Sequence, residues 1–448
     1  MEHAAGYYVS KKLEGDDLGL KQIKVKGGIE EEEGEPLSPM AQMFQEPESN
    51  VYIILSVGFK SPIDPFSFKT NLLHTLLKHP RFSSVQVADE KNGGELKWVQ
   101  TKVELDNHVI VVAMDEGDHM EPKAADKFVE DYISNLTKTN LSMSNNSNNN
   151  IPMWDCHILN LKTSDEAKSH VVMRVHHSLG DGTSLMSLLL SFSRKLSDPL
   201  SFPTFPAPTK KPIPSRTSTL FGVCIKIWSI FLLFWNTLVD ILMCLATMYF
   251  LKDTQTPLKA PSSAVAFTSR RIVRRTFSLA DVKLVKNATN TAVDEMKKKK
   301  SKADWGNKIG YVLFPFTIAL KENPLDHIRE VKAKMDRKKA SLEANFRLLM
   351  ATVFVRFYRT KLATFPPTTI WFSNVAGPQD KITLFGNQLV YVAPSLYGQP
   401  VALTIHIVSY AEDILMVLSV DEKIIPDPYQ LCDDLEDSLK LLKKSVTT

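Results

Sequence analysis

The sequence predicts an α/β protein, and three patterns carry that expectation. Apolar runs alternating with period two are interleaved with runs of helical period from residue 51 to about residue 200. One alternating run, residues 170–177, passes through a glycine-containing turn directly into a helical run. The same interleaving resumes at residue 266, beyond a Pro-rich break and a long apolar stretch.

In chain order, residues 51–57 read as a strand and 65–78 as a helix. Residues 82–87, 96–103 and 108–114 read as further strands, and 123–137 as a helix. Residues 144–150 are an Asn- and Ser-rich polar loop. Residues 154–161 form a strand that leads through a turn into the run at 170–177. Side chains on a strand point to opposite faces in turn, so Val171, Met173, Val175 and His177 share one face and Val172, Arg174 and His176 the other. His177 continues the apolar row and is expected to point into a dry cavity, which leaves His176 a supporting place. Gly180 and Gly182 relax the backbone at the turn, and Thr183 or Ser184 caps the helix that follows. That helix, residues 185–196, carries an apolar stripe at 185, 188, 189, 192 and 196.

Residues 203–214 are Pro-rich and read as a linker. Residues 220–251 are the most apolar stretch and exceed the roughly 20 residues that span a bilayer. At the helical period, Lys226, Ser229, Asn236, Thr237, Asp240, Cys244 and Thr247 fall in one sector of about 100°, with Trp228 and Trp235 opposite. The residues leave open a span whose polar seam faces protein, a helix lying in the membrane interface, and a core helix of a soluble domain. The cost of a charge in the bilayer tilts against an unassisted span. Beyond it, Arg270, Arg271, Arg274 and Arg275 bracket a short strand, and 279–287 is helical. Residues 297–300 are a basic run, read as a solvated loop or a contact for anionic lipid or phosphate. Residues 309–318 read as a strand broken at Pro315, 324–340 and 341–358 as helices, 369–375 as a strand, 401–409 and 414–420 as a hairpin, and 429–444 as an amphipathic helix.

Composition narrows the function classes. A chain of 448 residues with 23% charged residues is long enough for two or three folded domains. A net charge of +4 calls for no nucleic acid. The four cysteines, Cys156, Cys224, Cys244 and Cys432, are far apart and read as reduced thiols, with neither a disulfide frame nor a metal knuckle. Residues 1–35 read as a flexible acidic tail, not a signal peptide.

The chemistry rests on His176-His177-Ser178-Leu179-Gly180-Asp181-Gly182. An imidazole kept neutral by burial is a suitable general base near pH 7. A base at a strand-to-helix turn suits transfer of an acyl group onto a hydroxyl. Asp181 either orients the histidine or forms a structural ion pair behind the turn.

These motifs, with Pro36-Leu37-Ser38-Pro39-Met40-Ala41, Pro152-Met153-Trp154-Asp155-Cys156-His157, Trp305-Gly306-Asn307-Lys308-Ile309-Gly310 and Ser373-Asn374-Val375-Ala376-Gly377-Pro378, resemble the plant wax ester synthase/diacylglycerol acyltransferase family. The resemblance implies two chloramphenicol-acetyltransferase-like α/β domains with a solvent tunnel between them, at 36–202 and 263–448, joined by a linker and membrane segment at 203–262. It implies that His177 is the catalytic base, that Asp181 mainly holds the turn, and that Asn374 is a candidate oxyanion donor. Acyl-CoA enters as co-substrate and a fatty alcohol or diacylglycerol as acceptor, with no cofactor, no metal and no nucleic acid. The implied location is the endoplasmic reticulum membrane, with the plasma membrane a further one and the catalytic domains cytosolic. The chain departs from the family near residue 295, where an element or two is missing and the second domain is expected to be incomplete. A soluble acyltransferase of small alcohols and a catalytically impaired membrane-bound paralogue are the competing readings.

Overall fold

The computed structural model describes residues 34–45, 50–89, 94–113, 120–141, 144–145, 149–204, 220–251, 253–259, 269–289, 305–307, 309–358 and 368–447. Most of the acidic tail, most of the Pro-rich linker, the basic run at 297–300 and the junction near 295 lie outside the described residues.

The N-terminal half contains β1 (Glu35–Pro36), α1 (Pro39–Met43), β2 (Tyr52–Phe59), α2 (Pro65–His74), β3 (Ser84–Asp89), β4 (Glu95–Gln100), β5 (Val109–Val111) and α3 (Pro122–Leu136). Next come β6 (Ser144–Asn145), β7 (Asn149–Asn150), β8 (Trp154–Leu159), β9 (Ser169–His176), α4 (Gly182–Phe192) and β10 (Ser193–Lys195). The apolar stretch is one helix, α5 (Leu220–Tyr249). The C-terminal half contains β11 (Arg270–Ser278), α6 (Leu279–Ala288), α7 (Leu325–Lys339), α8 (Glu343–Tyr358), β12 (Ile370–Val375) and β13 (Ile382–Leu384). It ends with β14 (Asn387–Tyr397), β15 (Leu403–Tyr410), β16 (Asp413–Asp421) and α9 (Pro428–Thr447).

The strand that leads into the histidine turn, β9, lies inside a seven-stranded sheet of order β10-β13-β14-β2-β9-β8-β5. β9 is antiparallel to both neighbours, with Tyr52 opposite His176 and Trp154 opposite Val175. Both faces of this centre are covered, which is why β2 is almost continuously apolar rather than alternating. The polar face of β9 is satisfied internally. Arg174 donates from Nε to Asp155 at 2.9 Å and from Nη1 to the Leu136 carbonyl at 2.9 Å and Thr139 Oγ1 at 2.7 Å.

The C-terminal half reaches into this sheet. β14 pairs antiparallel with β2, Tyr397 opposite Tyr52 and Pro394 opposite Leu55, and β13 pairs with β10. The expected boundary at 202/263 is therefore crossed by two strands of the second half. The remaining C-terminal strands form a four-stranded sheet of order β11-β16-β15-β12, in which the expected hairpin is β15–β16 and β12 is a parallel edge strand.

Three local expectations are corrected. The helix after the histidine turn is α4, which stops at Phe192; Ser193–Lys195 turns into an edge strand because β13 offers it a partner. Its cap is Asp181, not Thr183 or Ser184. Residues 309–318 are not a strand, and Phe316 and Ile318 are exposed. A strand exists only by pairing, and among the described residues β12, the edge of the small sheet, pairs with β15 alone.

Candidate active site

β9 ends at His176, and His177 opens a 3₁₀ turn, His177–Leu179. The His177 N–H still donates to the Val51 carbonyl at 3.0 Å, so the turn stays attached to the edge of β2. The His177 side chain is buried and its ring stacks on Phe44, just after α1, at 4.2 Å between centroids. Its Nδ1 lies 3.2 Å from Asn307 Oδ1. The Asn307 amide cannot turn over, because its Nδ2 donates to the Ser178 carbonyl at 3.1 Å. An amide oxygen only accepts, so His177 carries its proton on Nδ1 and presents the Nε2 lone pair. Among the described residues Nε2 has no hydrogen-bond partner. Burial pushes the imidazole below its ordinary pKa, and the Asp181 carboxylate and the Asn307 oxygen partly oppose that.

His176 is fully engaged. Its Nε2–H donates to Asn50 Oδ1 at 2.9 Å, and its Nδ1 accepts from Ser178 Oγ at 2.6 Å. Gln86 in turn donates to Ser178 Oγ at 2.7 Å. Burial and the adjacent His177 push His176 down to about 3. It is a neutral strut, and the two histidines meet the different surroundings that alternation assigned them, although His177 reaches its place by leaving the strand.

Asp181 Oδ1 accepts from the Ser184 N–H at 2.8 Å and from Thr183 Oγ1 at 2.8 Å, which makes it the N-cap of α4. Gly180 has φ 174°, an extended conformation open to any residue. Its need for glycine is steric: a Cβ there sits 2.8 Å from Cζ2 of Trp305. At Gly182 the nearest atom to a Cβ is 3.8 Å away, so that position has room. The Trp305-Gly306-Asn307 loop thus docks onto the turn as a unit. Trp305 Nε1 donates to the Leu179 carbonyl at 2.7 Å, and the Gly306 carbonyl accepts from Asp181 N–H at 3.2 Å and Ser184 Oγ at 3.1 Å.

Asn374 makes no hydrogen bond to His177 among the described residues. It is exposed and lies beside Ile407 in the β12–β15 pairing, on the face opposite His406. Ser373, beside His406, shares the inward face. The physical reason is register: alternation along β12 sends neighbouring residues to opposite sides. His406 is buried, close enough to His177 for their charges to interact, and pushed down to about 4 by burial and that neighbour. Its Nδ1 is buried without a partner.

The sequence reading missed Asn307, Asn50, Phe44 and His406 as site residues. Asn307 stood in a motif but had no assigned role. His406 had one signal, a histidine in the inward row Thr404, His406, Val408, Tyr410. Behind the turn, an apolar cavity of about 120 Å³ opens between α4 and the large sheet, lined by Ile53, Leu55, Val175, Leu185, Met186 and Val375 among others. No cluster of metal-ligating side chains occurs among the described residues.

Residues 60–296 match the wax ester synthase/diacylglycerol acyltransferase catalytic domain, and residues 305–443 match the WS/DGAT C-terminal domain. Wax ester synthase/diacylglycerol acyltransferase 11 of Arabidopsis thaliana is 38% identical, across 92% of this chain and 96% of that one. Its relative numbered 5 from the same plant is 37% identical across 95% and 96%. The first alignment is 479 positions long yet uses 92% of 448 residues, so several tens of positions have no counterpart here. Among solved structures, the wax ester synthase/diacylglycerol acyltransferase from Marinobacter aquaeolei VT8 superposes with a TM-score of 0.56 at 17% identity, covering 92% of this chain and all of that one. A starter condensation domain of rhizomide synthetase, in complex with C8-CoA and Leu-SNAC, superposes at 0.51 with 10% identity, covering 93% and 95%. These two show a shared fold.

Proposed function

The chain belongs to the wax ester synthase/diacylglycerol acyltransferase family, and from that premise we propose that His177 is the general base of an acyl-CoA-dependent O-acyltransferase acting on lipid alcohols. The observation that carries this is the His177–Asn307 pair, which leaves a neutral Nε2 lone pair in a buried site. The acceptor hydroxyl gives its proton to Nε2 as its oxygen attacks the thioester carbonyl. The imidazolium that forms keeps its Nδ1–H on Asn307 Oδ1, a bond that strengthens once the ring is charged. The tetrahedral intermediate then collapses, the C–S bond breaks, and the imidazolium returns the proton to the coenzyme A thiolate. Phe44 against the ring holds it in plane and keeps water off that face.

His406 replaces Asn374 as our candidate donor to the developing oxyanion, because it is the inward-facing polar group across from His177. A preorganised donor of this kind contributes about 3 kcal/mol. Acyl-CoA is the co-substrate, and a long-chain alcohol or diacylglycerol the acceptor. The endoplasmic reticulum surface is the location that suits a lipid acceptor and helix α5.

The test is direct. Purified full-length protein with palmitoyl-CoA and either hexadecanol or diacylglycerol is expected to release coenzyme A and form ester, and His177→Ala to lose about 10²–10⁴-fold in rate. Equal rates for the two proteins overturn the role of His177. A folded wild-type protein that forms no ester with either acceptor favours the impaired-paralogue reading, which the edge of β12, unpaired among the described residues, and the irregular segment at 309–323 motivate.

A further inference from the structure

Helix α5 is long and apolar enough to cross a membrane, about 45 Å for its 30 residues. The fold forbids it from crossing once. The chain before α5 and the chain after it build one body: β14 pairs with β2, β13 with β10, and Asn307 of the second half holds His177 of the first. A single crossing puts those partners on opposite sides of the bilayer. Among the described residues α5 is the one helix able to span. The flanking stretches 205–219 and 260–268 are rich in Pro, Ser and Thr and shorter than the roughly 20 residues a second span needs.

The polar seam of α5 is already occupied. Asn236 Nδ2 donates to the Ala340 carbonyl at 3.1 Å, and Leu342 N–H donates to Thr237 Oγ1 at 2.9 Å. Asp240, whose side chain is 0% exposed, accepts from Arg337 at 2.7 Å and Lys338 at 2.9 Å, and Lys338 also donates to Glu343 at 2.7 Å. Buried charges keep their partners, since stranding one is costly. The charged helix α7 cannot follow α5 into hydrocarbon. Opposite this seam, Trp228, Phe231, Trp235, Leu238, Leu242 and Tyr249 share a sector of about 100° and are all 50% exposed or more. Trp228, Phe231 and Trp235 stack in a ladder with centroids 5.4 and 6.4 Å apart. Tryptophan and tyrosine belong at the membrane–water boundary. Lys226, on the seam side in the exposed first turns, carries charge suited to anionic headgroups.

We propose that α5 is an interfacial dock that lies flat in one leaflet of a lipid bilayer, aromatic stripe down, with both catalytic halves on the same side. This deepens the lipid-acceptor reading and rests on it for purpose, but not for geometry. α5 packs on α8, Leu348 and Ala351 of α8 pack with Met40, Met43 and Phe44, and Phe44 stacks on His177. Packed helices α5 and α8 and the α1 region thus connect the leaflet face to the base.

The test uses full-length protein and sealed vesicles of phosphatidylcholine with phosphatidylserine. In a Cys224→Ser background, Leu200→Cys and Gln255→Cys place one thiol reporter on each side of α5. Wild type is expected to float with the vesicles, and both reporters to react with an impermeant maleimide added outside. The variant Trp228→Gln/Phe231→Gln/Trp235→Gln is expected to keep its melting temperature and lose more than about tenfold in vesicle partitioning. A reporter protected until detergent is added, a variant that floats like wild type, or a wild-type dimer that buries the stripe and does not float each overturns the proposal. None of these readouts needs turnover, so a protein that floats but forms no ester refutes the enzymatic reading alone.

Discussion

Replacing Asn307 by alanine isolates the contact on which the proposed role of His177 rests. The change removes the 3.2 Å contact to His177 Nδ1 and the 3.1 Å donation to the Ser178 carbonyl, and leaves both histidine side chains in the sequence. In the ground state it costs about 1–3 kcal/mol of stability, from a buried carbonyl left without its donor. In the transition state the lost partner faces an imidazolium, and hydrogen bonds to charged groups contribute about 1.5–3 kcal/mol. That converts to a fall of roughly 10- to 150-fold in kcat. The pH profile separates this from simple misfolding. Asn307 raises the His177 pKa, so its removal lowers that pKa and moves the acid limb of kcat/KM to lower pH. Asn307→Asp places a carboxylate there, stabilises the imidazolium and moves the limb to higher pH. The assay is coenzyme A release from palmitoyl-CoA with hexadecanol across pH, beside a thermal melt. Wild-type kcat and an unmoved acid limb in a folded Asn307→Ala protein refute the tautomer argument.

Gly180→Ala is expected to lower stability by about 1–3 kcal/mol, because its Cβ meets the Trp305 indole at 2.8 Å, whereas Gly182→Ala, with 3.8 Å of room, stays within about 0.5 kcal/mol in urea melts. Asp240→Ala leaves Lys338 leaning on Glu343 alone and is expected to cost about 3 kcal/mol, seen as a lower melting temperature without loss of the His177 geometry. Acid is expected to unfold the protein through its buried neutral histidines. His176 is held down to about 3 and His406 to about 4, so below the ordinary value near 6.5 the unfolded chain binds protons that the folded chain refuses. Stability therefore falls by about 1.4 kcal/mol per pH unit per histidine as pH drops from 6 towards 4, and a urea midpoint that does not move over that range contradicts the burial of both rings.

The α/β class, the strand–turn–helix around the histidines and the two-faced character of α5 were legible in the sequence because each is a local periodic pattern. HHxxxDG pointed to the proposed base, and alternation along 170–177 separated its two histidines. The partner of His177 was not legible, since Asn307 lies 130 residues from it and only the docking of Trp305 and Gly306 on the turn brings it there. The register of Asn374 was hidden for the same reason. Its motif resembled a site residue, but the pairing of β12 with β15 turned it outward and Ser373 inward. Residues 309–318 carry a strand-like pattern that no partner strand among the described residues meets.

The sequence by itself determined what is written in neighbouring residues: the neutral imidazole at a glycine turn, the apolar helix with one polar seam, and the family to which these motifs are similar. Tertiary structure decided what depends on distant chain segments meeting. It selected the His177 tautomer through Asn307, gave the Asp181 carboxylate to the α4 cap, and spent the seam of α5 on Lys338 and Arg337. A side chain's hydrogen-bond partner and a helix's side of the membrane are properties of the closed chain, because both are set by long-range pairing that no local window contains.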